Sequence, residues 1–333
     1  MATKIKVNIP FDVNRTLEND MKSFEFIKKD GNINKNKFVN HLLKNYYLVF
    51  SLEEDKLINR IESQLLTNYS VKLDRQFAHN VVSLIRRPTY EEKYYNDFSI
   101  QFILTKENEK IFKMIEKYYL KDRSISQYFR ELFISYTSHK QDYREKLLFP
   151  DLVDKIETAI KNKKKIIINT SDEKTSLIDP FALDQTKEEV YNYLVGVSIE
   201  KDGSRCIISR KLFKIYNVIS TNEDVSFTEK EKYLLTITME HGSQFPINKQ
   251  IDAIIELTKK GEKFYNDFYL NRPKYLKKEG NRYYFNCSFT QLEFYFFKFG
   301  SEAKIIAPIS LKNKFSKKYF DALENYKKNK TLY

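Results

Sequence analysis

The sequence predicts a multidomain α+β protein. Its 333 residues exceed the size at which a single hydrophobic core usually stops growing, so several modules are expected. Before Pro150 the apolar side chains mainly follow helical spacing, whereas several short runs with strand alternation come after it. Since 41% of the residues are apolar and 15% are aromatic, the chain has enough material for packed cores.

The formal net charge of +13 favours a polyanionic partner, because Lys and Arg displace the counterions condensed on phosphates. A lysine-rich composition without any binding function is the alternative. Nucleic acid is therefore the expected partner, and single-stranded RNA and duplex DNA both stay open at this point.

The sequence contains no recognisable catalytic or cofactor motif. Its 7 glycines lie too far apart to form a dinucleotide fingerprint or a phosphate-binding Walker loop, and no GxSxG elbow is present. The four histidines stand singly, without the spacing of a metal site: His41, His79, His139 and His241. We therefore expect no enzyme activity, no cofactor and no metal, with a nuclease using scattered carboxylates as the rival.

Cysteine usage and hydropathy indicate a cytoplasmic protein. Cys206 and Cys287 lie far apart without CxxC spacing, which is typical of a reducing compartment. No apolar run is long enough for a membrane span, and the residues after Met1 do not form a signal core.

The first structural unit is a strand followed by two helices. Residues 4–9 alternate polar and apolar side chains and predict a short strand that Pro10 ends. Asp12 is expected to cap a helix that runs to Gly31, and Asn34 or Asn36 to open a second helix.

The same order returns about 90 residues later in the chain. Phe98, Ile100 and Phe102 alternate, Thr105 is expected to cap one helix, and Ser124 or Ser126 the next. A strand with two helices cannot satisfy its own edges, so the two copies should pair. The copies are residues 1–50 and 98–149, with a helical connector at 51–97 that reads as two helices.

This duplication resembles the ribbon-helix-helix fold, most clearly in the strand, the polar turn and "NKNKFVNHLL". In that family two antiparallel strands present outward side chains to the DNA major groove. The resemblance implies base-reading roles for five residues, Lys4, Lys6, Asn8, Ser99 and Gln101. The alternative is that these strands form a solvated scaffold. The sequence shows which hydrogen-bond donors are present but not whether they point into a DNA groove.

Residues 150–228 are expected to form a short helix and a small β-barrel. Strands are predicted at "KKKIIINT", "VYNYLVGVSI" and "SRCIIS", and the last two are joined by a turn at Gly203. With Pro180 before "YNYLVGV" and "RKLFKIYNV" after it, this segment resembles a WYL domain whose signature triplet falls on Asn192, Tyr193 and Leu194.

WYL domains are Sm-like, SH3-type barrels, and the resemblance implies a basic and aromatic pocket for nucleic acid or nucleotides. The implied binding residues are Tyr193, Arg205, Arg210, Lys211 and Lys214. Cations would contact phosphates, while an aromatic face would stack a base. The alternative is that Tyr193 lies in the barrel core and the basic residues form a solvated face.

Residues 229–333 are expected to follow a ferredoxin-like βαββαβ order. A strand is predicted at 233–240, a helix at 248–266, a hairpin around Gly280, and a helix that stops at Gly300 before a strand at 303–307. The last segment, with Phe299, Gly300 and Pro308, resembles the C-terminal extension that follows WYL domains. That resemblance implies a homodimer through Phe294, Phe297 and Phe299, with core packing as the alternative.

The whole arrangement resembles the WYL accessory proteins of type VI-D RNA-targeting CRISPR systems. It implies a non-enzymatic protein that binds single-stranded RNA through the WYL domain and enhances a CRISPR effector. The alternative is a transcriptional regulator that reads duplex DNA with the ribbon-helix-helix strands and senses a ligand with the WYL domain.

Overall fold

The computed structural model describes residues 3–69, 77, 78, 80–82, 98–120, 123–172, 174–185, 190–249 and 252–328. The chain divides into two compact units, residues 1–153 and 154–333. Within the described residues, helices combine with three antiparallel sheets. The prediction of a mixed α+β architecture is confirmed at this level.

The first unit contains a two-stranded antiparallel ribbon. Strand β1 (Lys4–Ile9) pairs with strand β2 (Phe98–Ile103), so both predicted strands are confirmed and they pair within one chain. Alternation places one face of the ribbon against the helices and the other in solvent. The inward face is formed by Ile5, Val7, Ile9, Ile100 and Phe102, each no more than 5% exposed.

The helices in this part of the chain are, in order, α1 (Phe11–Ser23), α2 (Lys35–Tyr69), α3 (Lys106–Met114), a π-helical turn (Ile115–Tyr119), α4 (Ile125–Ser138), α5 (Gln141–Leu148) and α6 (Pro150–Lys161), which continues into the second unit. Helix α4 packs against β1, and α2 packs against β2. Three predicted caps are confirmed by side-chain oxygens that accept backbone N–H groups: Asn34 for α2, Thr105 for α3 and Ser124 for α4.

Helix α1 differs from its prediction at both ends. Pro10 occupies the N-cap and Asp12 lies inside the first turn, so the predicted Asp12 cap is wrong. The helix ends at Ser23 instead of reaching Gly31, because Glu25 takes a left-handed backbone with φ of 58°. A non-glycine residue rarely adopts that conformation, and the sequence spacing gave no sign of it.

Helix α2 is one continuous helix of 35 residues. The predicted break near residue 51 is wrong, since the Ser51 hydroxyl donates to the Tyr47 carbonyl within an uninterrupted helix. Of the second connector helix, predicted through Leu73, Phe77, Val81 and Leu84, Leu73 and Leu84 lie outside the described residues. Phe77 is 52% exposed, while Ala78 and Val82 are buried.

A buried ion pair joins α1 to α5. Asp20 is fully buried and accepts two hydrogen bonds from Arg144, at 2.6 and 2.8 Å, and one from the Tyr136 hydroxyl at 2.9 Å. Since both carboxylate oxygens have donors, the charge of Asp20 is compensated inside the core.

The buried His41 should make the stability of the protein fall in mild acid. Its Nε2 lies 2.7 Å from the Leu148 carbonyl, and burial lowers the pKa of His41 below its ordinary value. Below about pH 6.5 the unfolded state therefore binds more protons, which costs at most about 1.4 kcal/mol of stability per pH unit. Glutamine does not bind a proton in this range. When the pH is lowered from about 7.5 to about 5.5, we therefore expect the free energy of unfolding of His41→Gln to fall less than that of the wild type. Equal losses in denaturant titrations of the two proteins would contradict this expectation.

The second unit begins with a five-stranded antiparallel sheet. Its strands are β3 (Lys164–Thr170), β4 (Thr175–Asp184), β5 (Tyr193–Ile199), β6 (Arg205–Lys211) and β7 (Ile215–Asp224), in the spatial order β6-β5-β4-β3-β7. The predicted strands at β3, β5 and β6 are confirmed, with small shifts of their ends. Gly203 has a φ of 81° in the turn between β5 and β6, as a turn glycine should.

A second sheet follows helix α7 (Glu229–His241). Its elements run β8 (Asp252–Leu257), α8 (Lys259–Asp267), β9 (Tyr275–Glu279), β10 (Arg282–Asn286), α9 (Phe289–Phe296) and β11 (Ala303–Ala307), and helix α10 (Ile309–Lys328) is the last described element. The four strands lie in the order β11-β8-β10-β9 and all pair antiparallel.

Two element predictions in this region are wrong. Residues 233–240 belong to α7, whose start is fixed by a capping box between Thr228 and Glu231. Within the predicted helix at 248–266, residues 252–257 form β8, and helix starts only after Thr258 caps α8. The hairpin at Gly280 is confirmed. Helix α9 ends at Phe296, before the predicted stop, and a 3₁₀ stretch (Phe297–Glu302) follows in which Gly300 breaks the helical backbone with a φ of 58°.

Candidate nucleic-acid interface

Two aromatic and two cationic side chains meet where β6 passes into β7. The ring centroids of Tyr191 and Phe213 lie 5.4 Å apart. The Lys211 Nζ lies 3.7 Å from the centroid of Tyr191 and 5.8 Å from that of Phe213, and the Lys214 Nζ lies 5.6 Å from Phe213. We name Tyr191, Lys211, Phe213 and Lys214 the cation–aromatic cluster. Each member is half-buried, so each is fixed by neighbours and still reaches solvent.

Backbone hydrogen bonds position the cluster. Lys211 ends β6, and Leu212 and Phe213 form a short 3₁₀ turn with Lys214 before β7 begins. The Leu212 N–H donates to the Asn192 carbonyl at 2.8 Å, and the Ser171 N–H donates to the Lys214 carbonyl at 3.0 Å. The buried Leu212 and Asn192 therefore hold the turn beside Tyr191.

The structure does not bring Tyr193 or Arg205 into this cluster. Tyr193 is 5% exposed and packs in the core with Val195, Val197 and residues of α7. Arg205 donates to Asp179 at 2.8 Å and to Glu231 at 2.7 Å. The hydrogen bond with Glu231 raises the pKa of Arg205, and the two carboxylates compensate its charge. Both residues join the sheet to α7, Tyr193 through core packing and Arg205 through its hydrogen bonds with Glu231.

Arg210 is exposed but stands apart from Lys211. Neighbouring residues of a strand point to opposite faces, and Arg210 pairs with Leu194 while Lys211 pairs with Tyr193. Of the five residues that the WYL resemblance implied, Lys211 and Lys214 belong to the cluster, whereas Tyr193 lies opposite Lys211 in the sheet with its side chain buried in the core. Tyr191 and Phe213 were missed, although each lies two positions or fewer from a residue that had been named.

The outward face of the β1–β2 ribbon gathers all five residues of the other predicted site. Lys6 lies opposite Gln101 and Asn8 opposite Ser99, while Lys4 lies opposite Ile103. Two side chains form hydrogen bonds with the backbone of the ribbon. Arg130 donates to the Asn8 carbonyl at 2.7 Å, and the Asn36 side chain accepts from the Ile103 N–H at 2.7 Å. A fixed backbone therefore presents these side chains on one polar surface.

A cavity of about 640 Å³ opens beside the ribbon. Its lining includes Lys4, Lys6 and Lys113 together with Glu109 and Glu116. Since both signs of charge line the same space, the cavity lacks the single-sign field that attracts a polyanion.

The three residues predicted to form a dimer contact do not share one surface. Phe299 is 2% exposed in the core, and Phe297 stacks on Tyr319 of α10 with 4.8 Å between ring centroids. Phe294 is the most exposed of the three, at 63%, and Phe297 is half-buried. Most side chains of the aromatic run pack inside the protein, and α10 covers one side of the run. The homodimer stays a prediction.

Within the ranges that the structure describes, no group of three or more His, Cys, Asp or Glu side chains could hold a metal ion. Nor does any helix in those ranges have the length and apolar character needed to cross a membrane.

Comparison with known proteins gives a match in fold only. Neither a protein-family model nor a curated protein sequence matches the chain. A solved structure described as a CRISPR Cas-related protein is 16% identical, with a TM-score of 0.73 over 99% of this chain and 95% of the other. The chain therefore shares its fold with that protein.

A second match is proteasome accessory factor B/C of Arthrobacter aurescens, at 15% identity. It covers 95% of this chain and 49% of that protein, so the chain spans about half of the longer protein's length. Its TM-score of 0.26 is too low to indicate a shared fold.

Proposed function

We propose that the protein is a non-enzymatic nucleic-acid-binding protein that takes single-stranded RNA at the cation–aromatic cluster. The observation that carries the proposal is the 3.7 Å approach of the Lys211 ammonium to the Tyr191 ring, with Phe213 and Lys214 beside them. Aromatic faces stack unpaired bases, and lysines contact the phosphates between them. A duplex hides its base faces, so this chemistry favours single strands.

The proposal includes a finer description of the fold. The cis-paired ribbon with its flanking helices supports a duplicated ribbon-helix-helix region. The strand order β6-β5-β4-β3-β7 and the 3₁₀ turn before β7 support an Sm-like WYL barrel. The order β11-β8-β10-β9 in a βαββαβ chain supports a ferredoxin-like extension.

We further propose that the protein enhances a type VI-D RNA-targeting CRISPR effector. The fold that it shares with a CRISPR Cas-related protein supports this role. The test is the rate of RNA cleavage by such an effector with and without the protein. An unchanged cleavage rate at saturating protein would contradict the proposed enhancement of the effector. The proposed RNA binding would still depend on the binding measurements.

Removing the two rings should weaken RNA binding while leaving the barrel folded. Stacking contributes about 1 to 3 kcal/mol per base, so Tyr191→Ala with Phe213→Ala is expected to raise the Kd for an unstructured RNA by about tenfold or more. Fluorescence anisotropy measures this change. Tyr216→Ala is the matched control, because Tyr216 lies on β7, is 58% exposed and is outside the cluster. Equal effects of the two changes would move the site elsewhere.

The ribbon supports a second candidate function, which is the binding of duplex DNA. Its specific observation is the register that places Lys4, Lys6, Asn8, Ser99 and Gln101 on one exposed face of a two-stranded ribbon. Such a ribbon fits the width of the major groove, where Lys, Asn and Gln can contact base edges. Under this reading the protein is a transcriptional regulator.

A further inference from the structure

The two strands of the ribbon carry different chemistry at equivalent positions. The two copies can be aligned on their helix N-caps, Pro10 for α1 and Thr105 for α3. Lys4 then matches Ser99, Lys6 matches Gln101, and Asn8 matches Ile103. On this face the cations lie on β1, and β2 presents a hydroxyl, an amide and an aliphatic side chain.

This difference is possible because both strands belong to one chain. A ribbon made by two identical chains has the same residue at both equivalent positions, and its two-fold symmetry is mirrored by a palindromic DNA site. Here no symmetry operator links β1 to β2. The outward face has one basic half and one neutral half.

Ile103 is a further outward-facing residue of the ribbon, which the sequence did not lead us to assign to the site. It is 46% exposed on the outward face, directly opposite Lys4. Its backbone is fixed from both sides, since its N–H donates to Asn36 and its carbonyl accepts from Asn40 at 2.9 Å. An aliphatic side chain at this place can contact a thymine methyl group, whereas Lys suits the acceptors of guanine and Gln suits adenine.

We propose that the ribbon recognises an asymmetric segment of duplex DNA, with guanine under β1 and A·T pairs under Gln101 and Ile103. One chain supplies the complete reading face, so one chain occupies one site. This inference rests on the second candidate function, the binding of duplex DNA by the ribbon.

Selection from a pool of randomised DNA duplexes tests the inference. The full chain is expected to enrich a non-palindromic sequence with guanine on one side and A·T pairs on the other. Duplex binding with a palindromic motif, or with no motif, would overturn the inference and leave the ribbon as a DNA interface. Absence of duplex binding would remove both.

Two variants test which residues determine the selected sequence. Ser99→Lys with Gln101→Lys and Ile103→Asn gives the outward faces of β1 and β2 the same residues at equivalent positions, and the selected motif should become palindromic. Ile103→Ala should lose roughly tenfold of the preference for thymine at one position, with affinity for random duplex unchanged. Both changes lie on exposed side chains, so circular dichroism should show an unaltered fold. An unchanged motif in the triple variant contradicts the proposal.

Discussion

Reversing the charge of Lys211 and Lys214 to Glu is expected to weaken the binding of single-stranded RNA by about 100-fold at physiological salt. Each lysine that contacts a phosphate releases a condensed counterion, and a glutamate at the same place adds repulsion to that loss. Both ammonium groups lie within 6 Å of an aromatic centroid of the cluster, so the same substitutions also remove the cations that border the stacking surface.

The salt dependence of binding separates a local contact from a general charge effect. Loss of two phosphate contacts should reduce the slope of log K against log salt by about 1.4 for single strands. The matched control is Lys259→Glu with Lys263→Glu, which changes the net charge equally on exposed positions of α8. If the control lowers affinity as much as the cluster variant does, net charge and not the cluster determines binding.

Asp20→Ala should destabilise the first unit by about 3 to 5 kcal/mol. The change leaves Arg144 with a buried charge and the Tyr136 hydroxyl without its acceptor, and the core provides no solvent for either. Urea unfolding monitored by circular dichroism measures the effect.

An exposed ion pair provides the control for Asp20. Glu229 lies 2.7 Å from Lys232 on the surface of α7, and its side chain is 88% exposed. Glu229→Ala should cost no more than about 1 kcal/mol, because solvent already screens the pair. Similar losses for the two variants would mean that the Asp20 network contributes no more than a surface contact.

The parts of the fold that could be predicted from sequence are those with local signals. β1 alternates throughout and β2 alternates from Phe98 to Phe102, and Thr105 and Ser124 stand where a capping hydroxyl is needed. Each of these patterns is decided within about one turn or one strand of chain. Their pairing followed because neither copy could satisfy its strand edge alone.

The errors arose where one apolar pattern fits two structures. In β8 the buried residues are Ala253, Ile255 and Leu257, but Ile254 and Ile255 also fit a helical face. The strand wins because it pairs with β10 on one side and β11 on the other, and those partners lie far along the chain. For α7 a local signal did exist in the capping box of Thr228 and Glu231.

The candidate site was only partly predictable for a similar reason. Tyr193 matched the position of a signature residue, yet it points into the core, and Tyr191 supplies the accessible ring instead. In the sequence Arg205 is one more cation in a basic segment. In the structure it forms ion pairs with Asp179 and Glu231, which lie 26 positions away on either side. A sequence shows how many cationic residues a segment contains. Which of them form ion pairs with carboxylates depends on the tertiary structure.

The most direct test of RNA binding at the cation–aromatic cluster is photo-cross-linking of an unstructured RNA that contains 4-thiouridine, followed by mass spectrometry of the linked peptides. We predict cross-links in the peptides that contain Tyr191 and Phe213, because bases should stack on those rings. Cross-links confined to peptides of β1 and β2, or of α10, would contradict this prediction, since the bound bases would then contact residues outside the cluster.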